Sequence, residues 1–506
     1  MDITRIKTLG ELKSSGYKSK LIKDEIRDNL IARLQNNKNS FDGIIGYEDT
    51  VIPDVERALL SRHNILFLGL RGQAKTRMAR QMTELLDEYI PVIAGSEIND
   101  DPMKPVSKYA RDLIRENGDK TPIDWLHRSQ RYGEKLATPD VSVADLVGDI
   151  DPIKAANLKL SFGDEMVIHY GIIPRSNRCI FVINEIPDLQ ARIQVALFNI
   201  LEEGDVQIRG FKLRMPLDIL FVFTANPEDY TNRGSIVTPL KDRIQSQILT
   251  HYPKTIEVAL SITEQEAFIH DHQRSRVRIS DLVKRLIEQI SFEARASEYV
   301  DKKSGVSARL SISALENAYS AAERRAIINN EKETQVWIND LVGIIPSITG
   351  KIELVYEGEQ EGPFQVAMNL VEKAIRSQFI SYFPNPDALK KKRTSTTQQP
   401  AENPYRSISA WFDKGNTLNL FFNIRDEEKV RELFKVDGLY AMVKKYFKGA
   451  NDREAALLME FVLHGLSAYS LISKKVVEGK IEFKDLMGSM LNLGSSSYEE
   501  EDKDFN

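Results

Sequence analysis

Gly69-Leu70-Arg71-Gly72-Gln73-Ala74-Lys75-Thr76 decides how the rest of this chain is read. It lies between an apolar run, Asn64-Ile65-Leu66-Phe67-Leu68, and a stretch, Arg77-Met78-Ala79-Arg80-Gln81-Met82-Thr83-Glu84-Leu85-Leu86, whose apolar residues fall at helical spacing. Strand, glycine-bearing loop and helix in that order aim successive backbone amides at one point, where they can cradle a polyphosphate. In such a loop the Lys75 ammonium faces the β- and γ-phosphates and the Thr76 hydroxyl serves Mg²⁺. The strict pattern has glycine before the lysine. Ala74 in its place predicts a backbone that avoids positive φ there, since only glycine adopts such angles cheaply. An ordinary glycine-rich turn is the competing reading, and the agreement of pattern with flanking elements favours the phosphate loop.

Composition bounds the rest. The chain has 506 residues, 42% hydrophobic and 28% charged, which is the profile of a soluble protein of roughly three domains. A formal net charge of −5 with dispersed basic residues gives no electrostatic footprint for nucleic acid. The single cysteine, Cys179, cannot form an internal disulfide and fits a reducing compartment. There is no secretion signal and no uninterrupted apolar stretch of about 18 residues, so cytoplasm is the expected location.

Residues 1–40 have amphipathic spacing and read as a helical lead-in. From 41 to 255, apolar runs at 65–68, 89–93, 179–183, 219–224 and 247–251 alternate with helical patterns. That alternation predicts an α/β domain with a five-stranded parallel sheet between helices. Residues 256–383 read as a helical lid, with helices at 279–290, 312–329 and 364–379 and a short strand at 352–356. The Pro-, Lys-, Thr- and Gln-rich stretch 384–404 is expected to be a flexible linker. A second helical unit is expected over 405–494, and the acidic tail 495–506 is expected to be disordered.

A phosphate loop needs further parts to hydrolyse anything. Cys179-Ile180-Phe181-Val182-Ile183-Asn184-Glu185 is an apolar strand ending in a polar pair, the form in which one residue orients Mg²⁺ and the next activates water. Glu185 keeps the second position, but Asn184 holds the first. An amide can reach a metal-bound water but brings no charge, so metal affinity should fall. The alternative is that Asn184-Glu185 caps a helix beginning near Pro187. A further strand, Leu217-Asp218-Ile219-Leu220-Phe221-Val222-Phe223-Thr224-Ala225-Asn226, ends in a polar amide at the edge where a parallel sheet presents residues to a ligand, and there Asn226 could align water against a γ-phosphate. A lone Asn before Pro227 would more often be a turn residue, but its place at this strand end favours the functional role. Arg243 and Arg309 stand in motif-like surroundings, although a single surface arginine is usually just solvated.

Taken in order, these segments, with Pro239-Leu240-Lys241-Asp242-Arg243 and Ser307-Ala308-Arg309 after them, resemble the AAA+ ATPases of the MoxR and magnesium-chelatase ATPase-subunit clade over residues 41–325. An Ala-Lys pair in the loop is common in MoxR-type members, so Ala74 fits. The resemblance implies that Ile44, Ile45 and Gly46 lie beside the adenine and that Gly69 to Thr76 bind ATP with Mg²⁺. It further implies that Asn226 is sensor 1, Arg243 the arginine finger and Arg309 the sensor 2 arginine, with Arg233 a weaker candidate for the finger. Residues 146–174 resemble the clade's helix 2 insertion and 204–216 its pre-sensor hairpin; 91–140 and everything after 385 match nothing in it.

What the resemblance implies for function is an ATP-driven motor or chaperone. A finger supplied by a neighbouring subunit makes hydrolysis a property of an interface, hence a homo-oligomeric ring, by resemblance a hexamer. The clade commonly works with a separate subunit bearing a von Willebrand factor A domain; the client protein cannot be read from the sequence. One rival is a nucleotide-regulated scaffold that hydrolyses little, motivated by Asn184. The other is an enhancer-binding transcriptional activator, which would need a Gly-Ala-Phe-Thr-Gly-Ala loop that this chain lacks.

Overall fold

The computed structural model describes residues 3–208, 214–227, 235–388, 403–477 and 479–486. The chain divides into two compact units, Met1–Tyr252 and Pro253–Asn506.

The first unit is built on a five-stranded, all-parallel sheet. Its strands are β1 (Ile65–Leu68), β2 (Tyr132–Leu136), β3 (Cys179–Asn184), β4 (Ile219–Ala225) and β5 (Ser246–Leu249). They lie side by side in the order β5-β1-β4-β3-β2. β3 and β4 are buried along their whole length, as central parallel strands covered on both faces must be. Side chains alternate between the two faces. Ile65, Phe67, Ile180, Val182, Leu220 and Val222 pack with Met78, Val55 and Ile26 from helices Lys75–Gln81, Val51–Leu60 and Ile22–Gln35. Leu66, Phe181, Ile183, Phe221 and Phe223 pack on the opposite face with Ile173, Ile193, Leu197 and Leu240.

Two sequence expectations change here. The run at 89–93 is a strand, but Tyr89–Ile93 pairs antiparallel with Ile123–His127 in a separate two-stranded sheet. The fifth place in the main sheet goes to Tyr132–Leu136, at the edge beside β3. An edge strand is half covered, so it tolerates Glu134 and Lys135 and shows no apolar run to detect. The helix Ile22–Gln35, read as part of a lead-in, buries Ile22, Ile26 and Leu30 in the sheet's own core. Its Glu25 forms a buried bidentate ion pair with Arg131, at 2.6 and 2.8 Å.

Between β2 and β3, Gly148–Ile150 pairs antiparallel with Ile168–Tyr170 around the helix Pro152–Leu158, which accounts for residues 146–174. Between β3 and β4, Asp205–Gln207 pairs with Arg214–Pro216 as a hairpin.

The second unit is mostly helical. Helices Asp281–Ala296, Arg309–Ile328, Pro363–Tyr382 and Asp452–Ala468 contribute Leu286, Leu310, Phe379 and Phe461 to one core that runs from Ala267 to Phe483. The segments on either side of 384–404 therefore share a core, where the sequence suggested two separate helical units. The later segment is also not all helix: Leu418–Phe421, Lys480–Lys484 and Ser473–Val477 form an antiparallel sheet in that order. The strand suggested at 352–356 reduces to a single bridge between Leu354 and Val300, followed by the helix Tyr356–Glu361. The tail 495–506 and most of 384–404 lie outside the described residues.

Candidate functional site

The loop that leaves β1 is fixed by close contacts. A Cβ at Gly69 would run into Thr250 Oγ1 and Gln73 Oε1, two atoms already joined by a 2.6 Å hydrogen bond that Thr250 donates. Gly72 has φ +72°. Ala74 has φ +55° and ψ +15°, the left-handed region, so the expectation that this position avoids positive φ is wrong. An L-residue there costs about 1–2 kcal/mol, which the surrounding contacts must hold in place. Lys75 Nζ donates to Gly69 O, to Leu70 O at 2.9 Å and to Asn226 Oδ1 at 2.9 Å. Arg71 is exposed, and its carbonyl accepts from Tyr252 Oη at 2.9 Å.

Ile44, Ile45 and Gly46 precede the helix Val51–Leu60. Ile44 is buried, and Gly46 has φ +83°. Tyr47 next to them donates its hydroxyl to Gln73 O at 3.1 Å and to His251 O at 2.7 Å, which ties this segment to the loop. Burial pushes the Tyr47 phenol up to about 12, so it remains a donor at neutral pH.

A second set of groups converges at the C-terminal ends of β3 and β4, the edge where open parallel sheets bind ligands. Asn184 Oδ1 accepts from Thr76 Oγ1 at 3.3 Å and from Thr224 Oγ1 at 3.0 Å. Glu185 follows in the left-handed region at φ +55°, with its N–H donating to Thr224 Oγ1 at 3.1 Å. Two strained non-glycine residues, Ala74 and Glu185, thus flank one polar cluster. The structure brings Lys75, Thr76, Asn184, Glu185 and Asn226 together, as the sequence suggested. It adds Thr224, hidden inside an apolar run, and Glu134, whose Oε1 accepts from Asn184 Nδ2 at 2.5 Å. Only pairing across the sheet could have revealed Glu134.

Among the described residues no group of three or more His, Cys, Asp or Glu could hold a resident metal ion. The donor set at the loop, a threonine hydroxyl beside an amide oxygen, would instead suit a Mg²⁺ ion carried in by a nucleotide.

Arg243 and Arg309 each have partners within their own unit. Arg243, at the end of the helix Thr238–Arg243, pairs with Glu202 at 2.6 Å and stacks over Phe198, 4.9 Å from the ring centroid. Arg309 belongs to the second unit, where it opens the helix Arg309–Ile328 and donates its N–H to Ser307 Oγ at 3.1 Å. Arg233 lies outside the described residues. Among the described residues no helix is long and apolar enough to cross a membrane.

No family model and no curated protein matches the chain. Among solved structures it is similar to an ATPase candidate from Cytophaga hutchinsonii, at 18% identity over 72% of this chain and 98% of that one, with a TM-score of 0.29. It is similar also to the complex between subunits BchI and BchD of magnesium chelatase, at 18% identity over 63% and 98%, with a TM-score of 0.33. A third is the closed state of Hsp104 with ATPγS and casein, at 12% identity over 61% of this chain and 49% of that one, with a TM-score of 0.36.

Proposed function

We propose that this chain is an ATP-hydrolysing motor of the AAA+ kind, working in the cytoplasm as a ring that remodels a partner protein. The observation that carries the reading is the joining of Lys75 to Asn226 and of Thr76 to Asn184, with Glu185 next in the chain. One contact set spans the loop and two strand ends. Mg²⁺ bound with ATP would neutralise phosphate charge beside Thr76 and Asn184. Lys75 places a fixed charge toward the β/γ-phosphates, Glu185 accepts the proton of the attacking water, and Asn226 orients that water. Arg243 acts in the site of a neighbouring subunit of a hexamer, and Arg309 is the sensor 2 arginine. A subunit with a von Willebrand factor A domain is the expected partner. A second reading, a scaffold that binds ATP and hydrolyses it slowly, is favoured by the uncharged Asn184.

Steady-state phosphate release at saturating Mg²⁺ separates the two readings. The ring is tested by mixing. Arg243→Ala should bind ATP yet lose about 10³-fold or more in turnover, as loss of an arginine finger does. Lys75→Ala should not bind ATP. Combined, they should regain activity at interfaces that pair an intact loop with an intact finger. Co-assembly without regained activity would mean that Arg243 acts within its own chain or is not the finger.

A further inference from the structure

Strand β3 ends without the carboxylate that a nucleotide-borne cation would be expected to meet, yet a carboxylate stands one strand away. In the β2–β3 pairing, Leu136 lies opposite Asn184 and Glu134 opposite Val182, so Glu134 and Asn184 are diagonal neighbours on one face of the sheet. Asn184 Nδ2 donates to Glu134 Oε1 at 2.5 Å, while Asn184 Oδ1 accepts from Thr76 Oγ1 and Thr224 Oγ1. The other carboxylate oxygen of Glu134 accepts from Tyr132 Oη at 3.0 Å and Arg80 at 2.9 Å. The carboxylate pulls on the amide NH₂ and so increases the negative charge on the amide oxygen that faces Thr76. An aspartate at 184 would instead set acceptor against acceptor beside Glu134, and the two charges would repel.

We propose that Glu134 is a positioning residue for the divalent cation of the bound nucleotide, supplying through Asn184 the negative charge that β3 lacks. The inference rests on reading the loop as a Mg²⁺–ATP site. Asparagine at 184 is then one half of an exchange between neighbouring strands, in which the acid has moved to β2 and the amide relays it.

The test measures binding of a fluorescent ATP analogue to the full chain across a Mg²⁺ titration, with EDTA as the metal-free reference. Glu134→Gln should match the wild type in EDTA but need about 10–100-fold more Mg²⁺ for half-maximal effect, the usual cost of losing an outer-shell partner. Asn184→Asp/Glu134→Gln, which returns the acid to β3, should recover the wild-type Mg²⁺ dependence. Arg80→Gln frees Glu134 of its external ion pair and should lower the Mg²⁺ requirement, which keeps the idea testable even where Glu134→Gln fails to fold. An unchanged Mg²⁺ dependence in Glu134→Gln, or a raised requirement in Arg80→Gln, overturns the proposal and leaves Glu134 as a partner of Arg80 and Tyr132 only. Wild-type protein that binds no analogue with or without Mg²⁺ would overturn the nucleotide reading itself.

Discussion

Two buried polar networks, one at the strand ends of the first unit and one in the core of the second, are arranged in opposite ways. In the first, Asn184, Thr224 and Asn226 are buried at strand ends; Asn184 accepts from Thr76 and Asn226 from Lys75 of the loop, and Thr224 donates to Asn184. In the second, charges sit deeper and answer one another. Lys429 and Glu460, 1% and 0% exposed, form an ion pair at 2.7 Å, and the Glu460 carboxylate also accepts from the Ile338 and Asn339 amides. Arg325 bridges Asp340 and Asp426, Asp426 accepts from Trp337 Nε1 at 2.8 Å, and Lys429 stands 4.7 Å from the Trp337 ring centroid. Burial of charge therefore does not by itself mark a site. A network whose charges are spent on each other holds a core together, whereas one that ends on a strained loop is arranged for something that binds.

Three perturbations bear on that contrast. The largest effect is expected in the first unit, where Glu185→Gln removes the base proposed at the end of β3. Turnover should drop about 10²–10⁴-fold while nucleotide affinity and unfolding midpoint stay put. Phosphate release near the wild-type rate would take Glu185 out of the chemistry and weaken the distinction between the units.

Next comes Lys429→Met, which strands the Glu460 carboxylate without its counter-charge. Breaking a buried pair by one partner should cost about 3–5 kcal/mol in denaturant unfolding, with ATP affinity of the folded protein unchanged. Replacing both residues with apolar ones of similar volume should recover much of the loss. If Lys429→Met altered nucleotide binding as strongly as stability, the second unit's network would not be the closed structural device described above.

The smallest effect is Ala74→Gly. Glycine accepts φ +55° freely but loses more chain entropy on folding, so a net gain of about 0.5–1 kcal/mol is expected. A thermal melt showing lower stability would mean that the loop does not hold the left-handed turn.

Much of the site is legible in the sequence because its signals are local. Gly69, Gly72, Lys75 and Thr76 fall within eight residues, and β3 and β4 are continuous apolar runs ending in Asn184-Glu185 and Asn226. Ala74 shows the limit of residue-type reasoning. Alanine's reluctance toward positive φ is a local preference of about 1–2 kcal/mol, and the packing around the loop overrides it.

By itself, then, the sequence determined the loop between β1 and the helix Lys75–Gln81, the two central strands and the residues they deliver, since each depends on spacing along the chain. The tertiary structure alone decided which strand completes the sheet, because 89–93 is more apolar than 132–136 and only pairing across space assigns the edge beside β3. It alone put Glu134 against Asn184, two residues fifty positions apart that no periodicity connects. It also gave the segments on either side of 384–404 one core, through Phe379 packing on Phe461 at a ring-centroid distance of 5.6 Å. Such contacts depend on the register and closure of distant elements, and a linear pattern carries no term for either.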